Sequence, residues 1–172
     1  MRVVPRAAAR FFAAHREAWR CACALERDYI LRERPELAAK LARTRELMES
    51  VVADCMVTSY EPIIASLTLP DPDDRHVLAA AIRAHAQTIV TFNLRDFPAA
   101  ALSPFDVEAR HPDDFVLDQI DLAPARVIEA VIDQAHALRN PPKSVDDVLD
   151  RLADCGCPQS VAKIRSLRGD GG

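Results

Sequence analysis

The sequence predicts an α/β fold with a small parallel sheet and a helix-rich C-terminal extension. Three stretches carry the prediction. Residues 75–86 form an Ala-rich helical run. After a short link, Thr88-Ile89-Val90-Thr91 is apolar and β-branched, the composition of a strand buried in a parallel sheet. A helix joined so closely to such a strand is an αβ unit. From about residue 121 onward only helical signals remain. We therefore expect an α/β domain over residues 1–120 and a helical extension packed on it over residues 121–172.

The remaining elements follow in order. Residues 6–31 read as a helix, with neither Gly nor Pro, and Pro35 opens another. Leu37, Leu41, Leu47, Met48 and Val51 then form an apolar stripe at helical spacing. Met56-Val57-Thr58 reads as a short strand, and Thr58 or Ser59 can cap a brief helix around Pro62–Leu67. Asp71-Pro72-Asp73-Asp74 is a turn entering the Ala-rich helix, with acids where the helix dipole favours them. Phe105–Ala109 is a candidate second strand, and His111-Pro112-Asp113-Asp114 starts a further helix. Pro124 opens the next helix, and Asn140-Pro141-Pro142 closes it. Ser144 caps another, with Asp147 in the third position of a capping box. Gly156 and Pro158 separate that helix from the last, and the Gly169–Gly172 tail is expected to fray.

Composition narrows the function. A chain of 172 residues suffices for one sizeable core. Aromatics are 5% of residues, which argues against extended stacking platforms. No apolar run approaches a membrane span, and no secretory h-region is visible. The five cysteines, an odd number, fit reduced thiols in the cytosol. The C-x-C pairs Cys21/Cys23 and Cys155/Cys157 lack the spacing of zinc knuckles. Net charge is −4, yet residues 1–50 carry an excess of Lys and Arg. Any phosphate-contacting surface is therefore best sought on the first helices. All four glycines lie at or beyond Gly156, which excludes a glycine-rich phosphate loop.

The chemistry available is acidic. Asp71, Asp73 and Asp74 crowd one helix start, where capping needs only one of them. Asn93 and Asp96 follow the buried strand, and ligands of open α/β sheets collect at the carboxyl ends of strands. A helix N-terminus and a strand exit can bring carboxylates to one point, and hard cations such as Mg²⁺ take such oxygens. Asp74 is the preferred ligand. Asp96 can bind metal directly or through water, and Asn93 can orient a carboxylate, a water or a phosphate. Glu61, at the start of a short helix, is a further carboxylate candidate.

At Asp71–Ala81 and Val90–Pro98 the chain resembles the PIN domain family, in the branch of VapC-type toxins of bacterial toxin–antitoxin pairs. The resemblance is specific over residues 57–98 and looser from Arg34 to about Phe115. It implies a three-layer α/β/α sandwich around a small parallel sheet. It also implies Mg²⁺- or Mn²⁺-dependent hydrolysis of RNA through about four acidic positions, with an antitoxin as partner; the helices after residue 121 pack on the sheet, or else offer an antitoxin-binding surface or a homodimer contact. Asp74 matches the family's third acid, and Asn93 and Asp96 its fourth segment. Asp74, Asp96 and Asn93 are thus the expected catalytic residues, with Asp74, Asp96 and Asp71 on the metal.

The front of the chain departs from the family. PIN domains open with an apolar strand ending in Asp, whereas Met1–Arg6 holds no acid and the first acid is Glu17. The family's second acid is a Glu on an early helix. Glu26 is the nearest candidate, although a shift of one residue puts Leu25 there. We therefore expect the first strand and its metal-bridging Asp to be missing, through truncation, frameshift or divergence. Two readings follow. One is a metal-dependent ribonuclease toxin; the other is a catalytically impaired or truncated PIN-like module that binds RNA or a protein partner.

Overall fold

The computed structural model describes residues 57–169, which fall into two compact units, 57–110 and 111–169. The expected helices over 6–31 and 36–51, the basic surface, Glu26 and three of the five cysteines lie outside the described residues. So does most of the fraying tail.

In the first unit, α1 (Glu61–Ile64) leads through an extended segment to a 3₁₀ turn at Pro72–Asp74 and then α2 (Arg75–Arg83). β1 (Thr88–Val90), α3 (Ala99–Leu102) and β2 (Glu108–Arg110) complete it. The two strands pair in parallel, with Thr88 opposite Glu108 and Val90 opposite Arg110. The αβ unit and the parallel pairing expected from the sequence are therefore present. Leu78, Ala79, Ala80 and Ala81 are all buried in the middle of α2. Their small side chains let the helix lie close to its neighbours, and Leu78, Ile89, Phe97, Leu102 and Val107 share one core.

Three local expectations need correction. Val57 and Thr58 are not in a strand. The short helix is capped at Tyr60 rather than at Thr58 or Ser59 and ends at Ile64; Ser59 instead takes a positive φ of 62°. The second strand begins at Glu108, because Ser103–Phe105 form a 3₁₀ turn that Asp106 closes in the left-handed region.

Helix α2 also stops earlier than its composition predicts. His85 has φ +54°, its N–H reaches Ile82 O at 3.1 Å, and the Ala86 N–H reaches Ala81 O at 2.9 Å. This is a Schellman ending in which a histidine occupies the position usually given to glycine.

The second unit consists of α4 (Pro112–Leu122), α5 (Pro124–Ala137), α6 (Val145–Asp154) and α7 (Pro158–Leu167). Val127, Val131 and Ala135 recur at helical spacing on α5 and pack with Ile120, Leu149, Val161 and Ile164. Asp113, only 2% exposed, ties α4 to α7: its carboxylate accepts the Ser160 N–H at 2.8 Å and the Gln159 N–H at 3.0 Å. The Ser160 hydroxyl donates in return to Asp113 O at 2.9 Å. A side chain from another helix thus satisfies donors that the N-terminus of α7 leaves open. Burial, with the Asp113 charge and Cys155 nearby, pushes the Cys157 thiol up to about 11. It therefore stays protonated, and unreactive, at neutral pH. Among the described residues, no helix is long and apolar enough to cross a membrane.

Candidate metal centre

Two segments of the first unit build the site. The first is the acidic turn. Leu69 and Leu78, both buried, anchor its two sides. Asp71 caps the 3₁₀ turn with its own side chain, Oδ1 accepting the Asp73 N–H at 2.9 Å. Arg75 Nε donates to Pro72 O at 2.9 Å, and His76 Nδ1 lies 2.5 Å from Asp73 O. These bonds close the turn on itself and leave Asp71 a second carboxylate oxygen for other work.

The second segment is the exit of β1. The Thr91 N–H continues the sheet pairing by donating to Arg110 O at 2.9 Å. Thr91 Oγ1 accepts the Asn93 N–H at 3.0 Å, and Leu94–Asp96 turn as a 3₁₀ helix. Asn93 Nδ2 donates to Asp96 Oδ2. Phe97, 5% exposed, pins the far end of the loop in the core.

The two segments meet. One carboxylate oxygen from each of Asp71, Asp74 and Asp96 lies within 4.8 Å of the others. A dication bound at about 2.1 Å spans roughly 4.2 Å between opposite oxygens, so this spacing suits a hard cation after slight contraction. Three like charges so close repel by about 1–4 kcal/mol per pair at surface-like dielectric constants, and a bound dication reverses the sign of that term. The donor set is all oxygen and half-buried at Asp74 and Asp96, which favours Mg²⁺ or Mn²⁺ over softer metals.

Of the residues expected from the sequence, Asp71, Asp74 and Asp96 are brought together, and Asn93 holds Asp96. Glu61, exposed on the first turn of α1, is not a member of the group. Glu26 lies outside the described residues. His76, on the first turn of α2, adjoins the acidic turn. Its ring fastens the acidic turn, while its Nε2 is buried with no hydrogen-bond partner among the described residues.

A helix–strand unit with acids at the helix entry and the strand exit defines a class of α/β metal-site protein. Comparison with known proteins shows what the chain is similar to. Residues 15–95 match the family model described as PIN domain, and residues 112–166 match the VapC50 C-terminal domain. The PIN match takes in Asp71, Asp74 and Asn93 and stops one residue before Asp96. Over 108 residues the chain is 45% identical to "Putative ribonuclease VapC50" of Mycobacterium tuberculosis (strain ATCC 25618 / H37Rv). The alignment covers 63% of this chain and 63% of that relative, so the chain spans under two thirds of the relative's length. No solved structure matches the chain. The chain is thus similar to the PIN-domain family over residues 15–95 and to the VapC50 C-terminal domain over residues 112–166.

Proposed function

We propose that this protein is a divalent-metal-dependent ribonuclease, the toxin of a toxin–antitoxin pair, working in the cytoplasm on RNA. The observation that carries the reading is the convergence of Asp71, Asp74 and Asp96 within 4.8 Å. The likeness over 108 residues to a protein named as a ribonuclease supports it. Asp74 and Asp96 would hold Mg²⁺ or Mn²⁺, with Asp71 as a third ligand. The metal, when bound, supplies an acidified water and neutralises charge developing on a phosphate. Asn93 fixes the Asp96 carboxylate in one orientation, so that little reorganisation is needed at the moment of reaction. The acidic turn, closed by its own hydrogen bonds, does the same for Asp71 and Asp74. Glu26 and Glu61 are the remaining carboxylate candidates for the same ion.

The test is cleavage of a single-stranded RNA by the full chain in millimolar Mn²⁺. Cleavage that stops with EDTA and falls at least a hundredfold in Asp74→Asn supports the reading. Absence of cleavage in Mn²⁺ and Mg²⁺ alike would leave the RNA- or protein-binding module in its place.

A further inference from the structure

Resting on the reading of Asp71, Asp74 and Asp96 as a dication site, we propose that His76 is a positioning residue for that site. Its ring N–H holds the backbone turn that carries Asp71 and Asp74, and so raises the affinity for the metal. Asp71 and Asp74 are three residues apart, and the backbone between them decides whether their carboxylates point to one place. That backbone is held at successive peptide groups. The Asp73 N–H donates to Asp71 Oδ1 at 2.9 Å, and the Asp74 N–H donates to Asp71 O at 3.2 Å. The oxygen of the same Asp73–Asp74 peptide lies 2.5 Å from His76 Nδ1. A carbonyl oxygen can only accept, so Nδ1 carries the hydrogen and donates.

The peptide that adjoins Asp74 is therefore gripped at both ends, by Asp71 at its N–H and by His76 at its oxygen. Turning that peptide about its flanking bonds breaks both contacts and changes φ at Asp74, which is −85°. Arg75 Nε fastens the carbonyl before it, that of Pro72, at 2.9 Å. Of these two side chains, only His76 reaches the peptide next to Asp74. The other ring nitrogen supplies the second observation. Nε2 is buried and has no hydrogen-bond partner among the described residues. A buried polar atom without a partner costs stability, and an apolar side chain of similar size would fill the place without that cost. Packing alone therefore does not favour a histidine here. What the imidazole adds is the Nδ1–H on Asp73 O.

Fastening matters because the three carboxylates repel one another until an ion arrives. A turn free to relax would move its two acids apart, and the ion would have to draw them together out of its own binding energy. Partners that orient the ligands of a metal are worth about 10- to 100-fold in its affinity. The stability of the fold and the order of the ligands are thus separable at His76, which acts through peptide groups and not by ligation.

The test compares two variants of one shape. Leucine and asparagine both branch at Cγ and both remove the ring, but only asparagine keeps an N–H the same number of bonds from Cα as Nδ1. Mn²⁺ alone is titrated into full-length wild type, His76→Leu and His76→Asn, with free Mn²⁺ read from its electron paramagnetic resonance signal. The metal-free proteins are melted alongside. His76→Leu should bind Mn²⁺ about 10- to 100-fold more weakly than wild type. His76→Asn should recover most of that affinity, and the two metal-free variants should melt at similar temperatures. Wild-type affinity in His76→Leu, or an equal loss in both variants, would overturn the proposal. So would a metal-free His76→Leu that unfolds well before His76→Asn, since the bond would then serve the fold and not the site. Mn²⁺ binding unchanged in His76→Leu, with RNA cleavage intact, retires this inference alone. No Mn²⁺ binding by the wild type removes the metal centre and this inference with it. Mn²⁺ binding that depends on His76 without any RNA cleavage retires the nuclease reading and leaves the role of His76 standing.

Discussion

Asp113 and Asp74 are both aspartates in the first turn of a helix or at its threshold, yet their surroundings assign them different work. Asp113 is 2% exposed, and both of its carboxylate oxygens accept backbone N–H groups of α7. Asp74 is half-buried beside two other carboxylates. The first is a structural link, and the second belongs to the candidate metal centre. Asp113→Ala should therefore destabilise the protein by about 2–4 kcal/mol, since two charge-assisted hydrogen bonds go and a helix N-terminus is left buried and uncapped. Asp113→Asn, which keeps an acceptor oxygen, should cost less. Urea unfolding checks both. The acidic turn was legible in the sequence because its aspartates are neighbours there. The role of Asp113 was not, because its partners lie 46 and 47 residues away.

At the scale of elements, sequence succeeded where the signal is local chemistry. Ser144 and Asp147 form the expected capping box, with the Asp147 N–H to Ser144 Oγ at 3.0 Å and the Ser144 N–H to Asp147 Oδ2 at 2.9 Å. Gly156 closes the same helix with φ +100°, as its position between two helical runs implied. Sequence failed where the ending has no local marker: nothing in His85 announces a left-handed residue, so α2 was drawn too long. The bonds from Ser144, chiefly its backbone N–H, hold the Asp147 carboxyl below its ordinary value of 3.8. A depressed folded-state pKa stabilises the protein above the unfolded value, and that stabilisation is lost as pH falls through the folded one. Wild type should therefore be more stable than Asp147→Ala near neutrality, and the gap should shrink as pH drops below about 3.8. Thermal melts at matched pH values measure it.

For the molecule as a whole, composition and periodicity located the parallel sheet and the C-terminal helices, because burial patterns are read directly from residue type. They also brought one ligand set close to assembly, since a helix entry and a strand exit of one αβ unit lie at the same end. The central claim is that Asp71, Asp74 and Asp96 together hold a dication. The most direct measurement is thermal melting of the full chain with and without Mn²⁺, in wild type and in Asp74→Asn. A ligand at about a hundred times its dissociation constant adds about 2.7 kcal/mol, or roughly 5–11 °C for a chain of this size. The account predicts a rise of that order in wild type and little or none in Asp74→Asn. An unchanged wild-type melt, or an equal rise in both proteins, would contradict it.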